Sequence, residues 1–298
     1  MNRTVFIITT YGSKDENTET LDFITWALSK ETESFLKKYD LSPLPYVMGK
    51  VYYDEKKGKG RAIRDALDEL KQKHLESGDD IFVYMDGNQI EFGDSLEMVK
   101  MIMEGVSPFV AACRINGMGI DVPRGISERF ENFLLSHAHG VPWLPDAQCG
   151  CWAFRGDYLD EIISTFQSNE FEIELELMNF FLGKRILPAY VGMDVGDPEN
   201  TGFLRKHSEI KIIALSNWLK IAKEELIRLA KEFQQACGMN LPLEYVALFG
   251  DTRIYGGDAP SRPMANARWD VVCSCSGNCQ NEAKSFEYHP CNGKPPIA

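Results

Sequence analysis

The sequence holds no apolar run near the roughly 20 residues that a membrane-spanning helix needs, and no internal repeat. Neither G-x-x-x-x-G-K-[ST] nor G-x-G-x-x-G occurs, so the phosphate-loop and dinucleotide-binding fingerprints are excluded. Basic charge is scarce: 32 lysines and arginines stand against 44 acids, a net charge of −12. That deficit argues against a nucleic-acid or anionic-membrane partner, whose affinity depends on basic patches. It also means that a polyanionic substrate has to be met by local basic groups or by a metal ion. The opening MNRTVFIITTYG has a short apolar core and no small-residue cleavage site, so it is expected to be a first strand rather than a signal peptide. The expected setting is cytoplasmic.

What is present is ordinary for a globular chain: 298 residues, 44% apolar and 26% charged. TVFIITTYG (4–12) reads as a buried strand and 17–39 as a helix; YVMGKVYY (46–53) and IFVYM (81–85) are further strands around the helical segment 58–78. Strand, helix, strand, helix, strand predicts βαβ units with a parallel sheet. EMVKMIMEG (97–105), SERFENFLLSHAHG (127–140) and FEIELELMNFFLGK (171–184) read as helices. FVAACRI (109–115), CWAFRG (151–156) and RILPAYVGM (185–193) read as strands. Residues 215–238 are expected to form one long amphipathic helix closed by Gly238. Beyond Gly256 periodicity is lost and the chain turns rich in Gly, Pro, Asn and Cys.

Several groups of residues carry chemical options. Asp86-Gly87-Asn88 closes the run IFVYM. Asp-Gly is a hairpin turn signal, but two side-chain oxygens one residue apart at a strand end also suit a divalent cation. In GKGRAIRDAL, glycines open a helix whose electropositive N-terminus can meet an anion, and Lys59, Arg61 and Arg64 add charge. The alternative is a surface loop before a capped helix. Asp146, after Pro145, is placed to open a turn. Glu172, Glu174 and Glu176 are rival carboxylates or a solvated helix face. His207 stands beside Arg205 and Lys206, as a surface residue does. Cys273, Cys275, Cys279 and Cys291 can hold a structural Zn²⁺, pair as disulfides or belong to an irregular tail. The scattered Cys113, Cys149, Cys151 and Cys237 are expected to be small core hydrophobes.

The order of these segments resembles the GT-A glycosyltransferases of the family 2 type, which include dolichyl-phosphate mannose synthases. The resemblance rests on the strand leading to Tyr11, on GKGRAIRDAL, and on the apolar strand ending in Asp-x-Asn. PDAQCGCWAFRGDYLDEI and FEIELELMNFFLGKRILPAYVGM extend it to about residue 195. Two departures stand out: TTYGS replaces the family's Pro-x-Tyr-Asn-Glu, and Asn88 replaces the second carboxylate of its metal motif. The resemblance implies an α/β GT-A catalytic domain over 1–212, a helical segment over 213–255 and an irregular Cys-rich tail over 256–298. It implies a sugar donor of UDP or GDP type and a small-molecule, glycan or lipid-phosphate acceptor. Mg²⁺ or Mn²⁺ would be held by Asp86, Asn88 and His207. Thr9, Tyr11, Lys59, Arg61, Asp86 and Gly87 would contact the donor, with Asp146 or Glu174 as the catalytic carboxylate. The alternatives are a sugar-phosphate nucleotidyltransferase and a non-catalytic sugar-nucleotide-binding module.

Overall fold

The computed structural model describes residues 4–9, 47–52, 58–72, 78, 80–86, 92–116, 123–169, 172–194, 204–237, 267–273 and 284–288. The helix expected over 17–39 lies outside them. The elements run β1 (Thr4–Thr9), β2 (Val47–Tyr52), α1 (Lys59–Gln72), β3 (Ile81–Asp86), α2 (Phe92–Met103), β4 (Phe109–Asn116) and α3 (Pro123–His139). They continue β5 (Cys151–Arg155), a 3₁₀ turn (Gly156–Tyr158), α4 (Leu159–Thr165), α5 (Ile173–Gly183) and β6 (Ala189–Asp194). Then follow α6 (Leu204–Trp218), α7 (Lys223–Cys237), β7 (Ala267–Cys273) and β8 (Lys284–Tyr288).

The chain divides into two compact units. The first comprises Met1–Ala112, Cys149–Met193 and Val272–Glu282; the second comprises Cys113–Gln148, Asp194–Val271 and Ala283–Ala298. In the first, β1 to β6 lie in the order β2-β1-β3-β5-β4-β6. β1 runs parallel to both β2 and β3, and β5 inserts antiparallel between β3 and β4. Val5 to Ile8 and Ile81 to Met85 are buried without a break, as strands covered on both faces must be. α1 buries Gly60, Ile63, Ala66, Leu67 and Leu70, an i, i+3, i+4, i+7 stripe laid against β1 and β2.

Alternation along β3 and β5 decides what each sheet face carries. Phe82 and Tyr84 pair in register with Phe154 and Trp152, and the rings stack at 5.4 Å and 4.7 Å. This aromatic face meets α5 through Phe181, whose ring centroid lies 6.3 Å from that of Phe154 and 4.2 Å from that of Phe109. Asp86 follows Tyr84 by two residues and so emerges on the aromatic face, at the strand's C-terminal end. The opposite face carries Cys151, whose Sγ sits 3.9 Å from Met98 Sδ of α2.

The second unit is organised by α3, which packs against α6 and α7 around Phe130, Phe133, Trp143 and Phe233. The single helix expected over 215–238 is in fact two. α6 ends in a Schellman arrangement: Ile221 N donates to Ser216 O at 2.9 Å, and Lys220 N to Asn217 O at 3.3 Å. Lys220 adopts φ 55°, the left-handed conformation that glycine usually supplies. α5 closes the same way with Arg185 at φ 62°, whereas α2 and α3 use Gly105 and Gly140 at that position.

Because a side chain in this conformation costs about 1 kcal/mol, Lys220→Gly is expected to raise stability by roughly 0.5–1 kcal/mol after glycine's extra unfolded-state entropy is counted. Urea unfolding of this variant beside Lys220→Ala, which keeps the strain, checks it.

Candidate functional site

Three elements of the first unit each deliver one charge to the same place. Lys59 is the first residue of α1, Asp86 the last of β3, and Glu174 stands in the first turn of α5. The Lys59 Nζ donates to Asp86 Oδ2 at 2.7 Å and also to Glu174 Oε1. It lies 5.4 Å from the centroid of the Tyr84 ring, within cation–π range. The Tyr84 hydroxyl donates to the other oxygen of Asp86. The side chains of Lys59 and Glu174 are 11% and 5% exposed, and Asp86 keeps 22%. Burial by itself would lower the lysine pKa. The charges of Asp86 and then Glu174, with their hydrogen bonds, outweigh it and raise the pKa above its ordinary value. The ammonium is therefore charged throughout the neutral range.

The backbone around this trio is held as firmly as its charges. Thr9 pairs in register with Asp86, so the ends of β1 and β3 lie side by side. Asp86 N donates to Gly150 O at 2.8 Å. A β-carbon at Gly150 would stand 2.6 Å from Asp86 Cγ, a distance that only glycine avoids. The 166–169 segment ties α1 to α5. Arg61 N donates to Asn169 O at 3.2 Å, and Arg64 Nη1 to Phe166 O at 3.3 Å. From the other side, the Glu176 carboxylate accepts from Gln167 N at 2.8 Å and Ser168 N at 3.0 Å. Glu172, Glu174 and Glu176 are thus buried, not a solvated helix face. Two of them have partners that the local sequence does not reveal.

Asp146 belongs to the second unit and has a different environment. Arg114, at the end of β4, donates from Nε to Asp146 Oδ2 at 2.6 Å and from Nη2 to Oδ1 at 2.8 Å. The same Nη2 reaches Glu128 Oε2 at 2.9 Å. Gln148 N donates to Asp146 Oδ1 at 3.0 Å, the mark of an Asx turn. Asn132 of α3 holds the flanking peptides, accepting from Ala147 N and donating to Pro145 O. The Asp146 side chain is fully buried, and both of its oxygens are engaged. To act as a proton acceptor it would first have to release a guanidinium. Arg114 and Glu128 had no signal in the sequence, because nothing local marks a charge that is matched across a fold.

Of the other candidates, Arg61 is exposed at the start of α1. His207 lies on α6, but its side chain is outside the described residues, as is that of Thr9. Tyr11, Gly87, Asn88, Cys275, Cys279 and Cys291 also lie outside them, and only the backbone of Cys273 is described, at the end of β7. The zinc reading of these cysteines therefore has no support in the structure. The hairpin alternative for Asp86-Gly87 gives way: β3 pairs in parallel with β1, and helix α2 begins at Phe92. Cys113, Cys149 and Cys151 are buried thiols. Burial, followed by Cys149, Asp94 and Asp86, pushes the Cys151 thiol well above its ordinary value, which leaves it protonated and inert.

Among the described residues no three His, Cys, Asp or Glu side chains gather as a metal site. The oxygen-only donors at the end of β3 nevertheless suit a hard divalent cation. They already gather a positive charge in the form of the Lys59 ammonium.

Neither a protein-family model nor a curated protein sequence matches the chain. Solved structures do. Glucosyl-3-phosphoglycerate synthase from Mycobacterium tuberculosis, crystallised with Mn²⁺, UDP-glucose and phosphoglyceric acid, matches with a TM-score of 0.51 at 15% identity. The match covers 74% of this chain and 81% of that one. The same synthase in complex with phosphoglyceric acid gives 0.50 at 16% identity over the same shares. With Mn²⁺ and UDP-glucose it gives 0.50 at 14%, over 74% and 80%. At such identity the fold is what is shared: the α/β GT-A arrangement of a mixed sheet flanked by helices.

Two expectations follow. Gly150→Ala should displace the Asp86 carboxylate and lower stability by about 1–3 kcal/mol, read by urea unfolding. Asp146→Ala should cost about 3 kcal/mol or more, because it removes the principal partner of a buried guanidinium; the same measurement tests it.

Proposed function

We propose that the protein is a divalent-metal-dependent glycosyltransferase that moves a sugar from a nucleotide-diphosphate donor to an acceptor hydroxyl. The observation that carries this reading is the cluster of Lys59, Asp86 and Glu174 at the C-terminal end of β3. In open α/β sheets ligands gather at the strand C-termini. An acidic protein that receives a polyanion also needs a fixed cation there. The Mn²⁺ and UDP-glucose bound by the structurally similar synthase agree with a donor of UDP type. Its phosphoglyceric acid agrees with a small phosphorylated acceptor. The alternative acceptors are a glycan and the lipid phosphate used by dolichyl-phosphate mannose synthases.

In this reading Asp86 and Asn88 hold Mg²⁺ or Mn²⁺, which supplies Lewis-acid stabilisation of the departing diphosphate. Lys59 donates a charge-assisted hydrogen bond to the same diphosphate. Its ammonium already stands at this end of β3, held there by Asp86 and Glu174. Thr9, which ends the neighbouring strand, and Tyr11 would contact the nucleotide. Arg61 adds positive charge to the start of α1, and Gly87 would contact the phosphates. Asn88 brings an oxygen without a charge, which favours one second reading: a sugar-nucleotide-binding module without turnover.

Calorimetry with UDP-glucose and GDP-mannose, with and without Mn²⁺, tests the proposal. Metal-dependent binding of one donor is expected, and binding of neither overturns it. Asp86→Asn is expected to lower kcat/KM for transfer about 100-fold, or about 2.7 kcal/mol of transition-state stabilisation. Donor binding without any hydrolysis or transfer, with turnover appearing in Asn88→Asp, would select the module.

A further inference from the structure

The Asp86 carboxylate is the one charged metal donor of the Asp86-Gly87-Asn88 motif, and a cation already stands on it. The Lys59 ammonium lies 2.7 Å from Asp86 Oδ2, and Tyr84 donates to the other oxygen. A divalent ion that approaches Asp86 meets the repulsion of a buried, permanently charged ammonium only a hydrogen bond away. Glu174 gives that ammonium a second anion on the side of α5. Lys59 can therefore leave Asp86 without being expelled from the site.

Resting on the sugar-nucleotide reading above, we propose that Lys59 is a built-in counter-cation which a divalent metal must displace from Asp86, with Glu174 retaining the displaced lysine. Metal alone then binds weakly, since the Asp86–Lys59 pair has to be broken before the metal can take the Asp86 carboxylate. A diphosphate changes this balance, because its oxygens offer the displaced ammonium a new anion and offer the metal new ligands. Metal and nucleotide consequently strengthen one another by the same factor, as linkage requires. Glu174 sets the size of the effect. Without its charge the ammonium is held more strongly by Asp86, and the metal is opposed more strongly.

The test is Mn²⁺ binding by the full chain, followed through the paramagnetic resonance signal of free Mn²⁺, without nucleotide and with saturating UDP. In the unaltered protein UDP is expected to tighten Mn²⁺ binding about tenfold or more, within the usual range of coupling between sites. Lys59→Gln is expected to bind Mn²⁺ alone about tenfold more tightly and to lose most of the coupling. Glu174→Gln is expected to bind Mn²⁺ alone several-fold more weakly, the opposite sign. Misfolding would weaken binding in both variants, so the opposed signs separate the proposal from structural damage. If Lys59→Gln does not fold, the Glu174→Gln arm decides: unchanged or tighter Mn²⁺ binding overturns the proposal. Coupling that survives intact in Lys59→Gln overturns it too, while leaving the glycosyltransferase reading in place. Failure of the unaltered protein to bind any nucleotide or sugar nucleotide with Mn²⁺ overturns both.

Discussion

The structure of the first unit turns on one buried cation shared by two carboxylates. Lys59 comes from the start of α1, Asp86 from the end of β3, and Glu174 from the first turn of α5. Each element would strand a charge in a poorly solvated place if the other two were absent. An unmatched buried charge costs several kcal/mol, so the three elements are constrained to meet. The neighbouring contacts follow from that requirement. The aromatic pairs of β3 and β5 place the Tyr84 hydroxyl on Asp86, and Gly150 leaves the carboxylate room that any side chain would take. Glu176 secures the loop from which Asn169 O accepts the Arg61 amide.

The second unit solves the same problem with the same signs. There one carboxylate, Asp146, and a second, Glu128, surround the buried guanidinium of Arg114. The planar fork of arginine suits this arrangement, because it can give two parallel hydrogen bonds to one carboxylate while a third reaches another. A protein with a net charge of −12 has few cations to commit to its interior. Two of them, Lys59 and Arg114, are each surrounded by more than one acid. This is economical use of positive charge.

β1 to β6 and most helices were legible in the sequence, because burial on both faces or on one stripe leaves a periodic trace, whereas β7 and β8 fall in the stretch read as an irregular tail. IFVYM announced a central strand, and Ile63, Ala66, Leu67 and Leu70 announced the inner face of α1. The break between α6 and α7 was not legible. A lysine holds the left-handed residue where glycine would have signalled a stop, so the amphipathic pattern runs on across the junction. The antiparallel setting of β5 escaped for a related reason: strand direction depends on connections, and the residues of CWAFR look the same either way. Alternation of charge along α5 suggested a wet helix face, yet Glu174 and Glu176 are buried because a lysine and two loop amides lie more than a hundred and fewer than ten residues away respectively.

The sequence by itself determined the α/β class, the order of β1 to β6, an acid at the end of a strand and a GKG segment at the start of a helix. These are consequences of periodicity and of local backbone chemistry, which act over a few residues. Only the tertiary structure decided which charges neutralise which. It brought Lys59 to Asp86 and Glu174, and gave Asp146 to Arg114 rather than leaving it in a simple turn. Electrostatic partners are chosen by distance in space and by exclusion of water, and neither quantity is written in the spacing of residues along the chain.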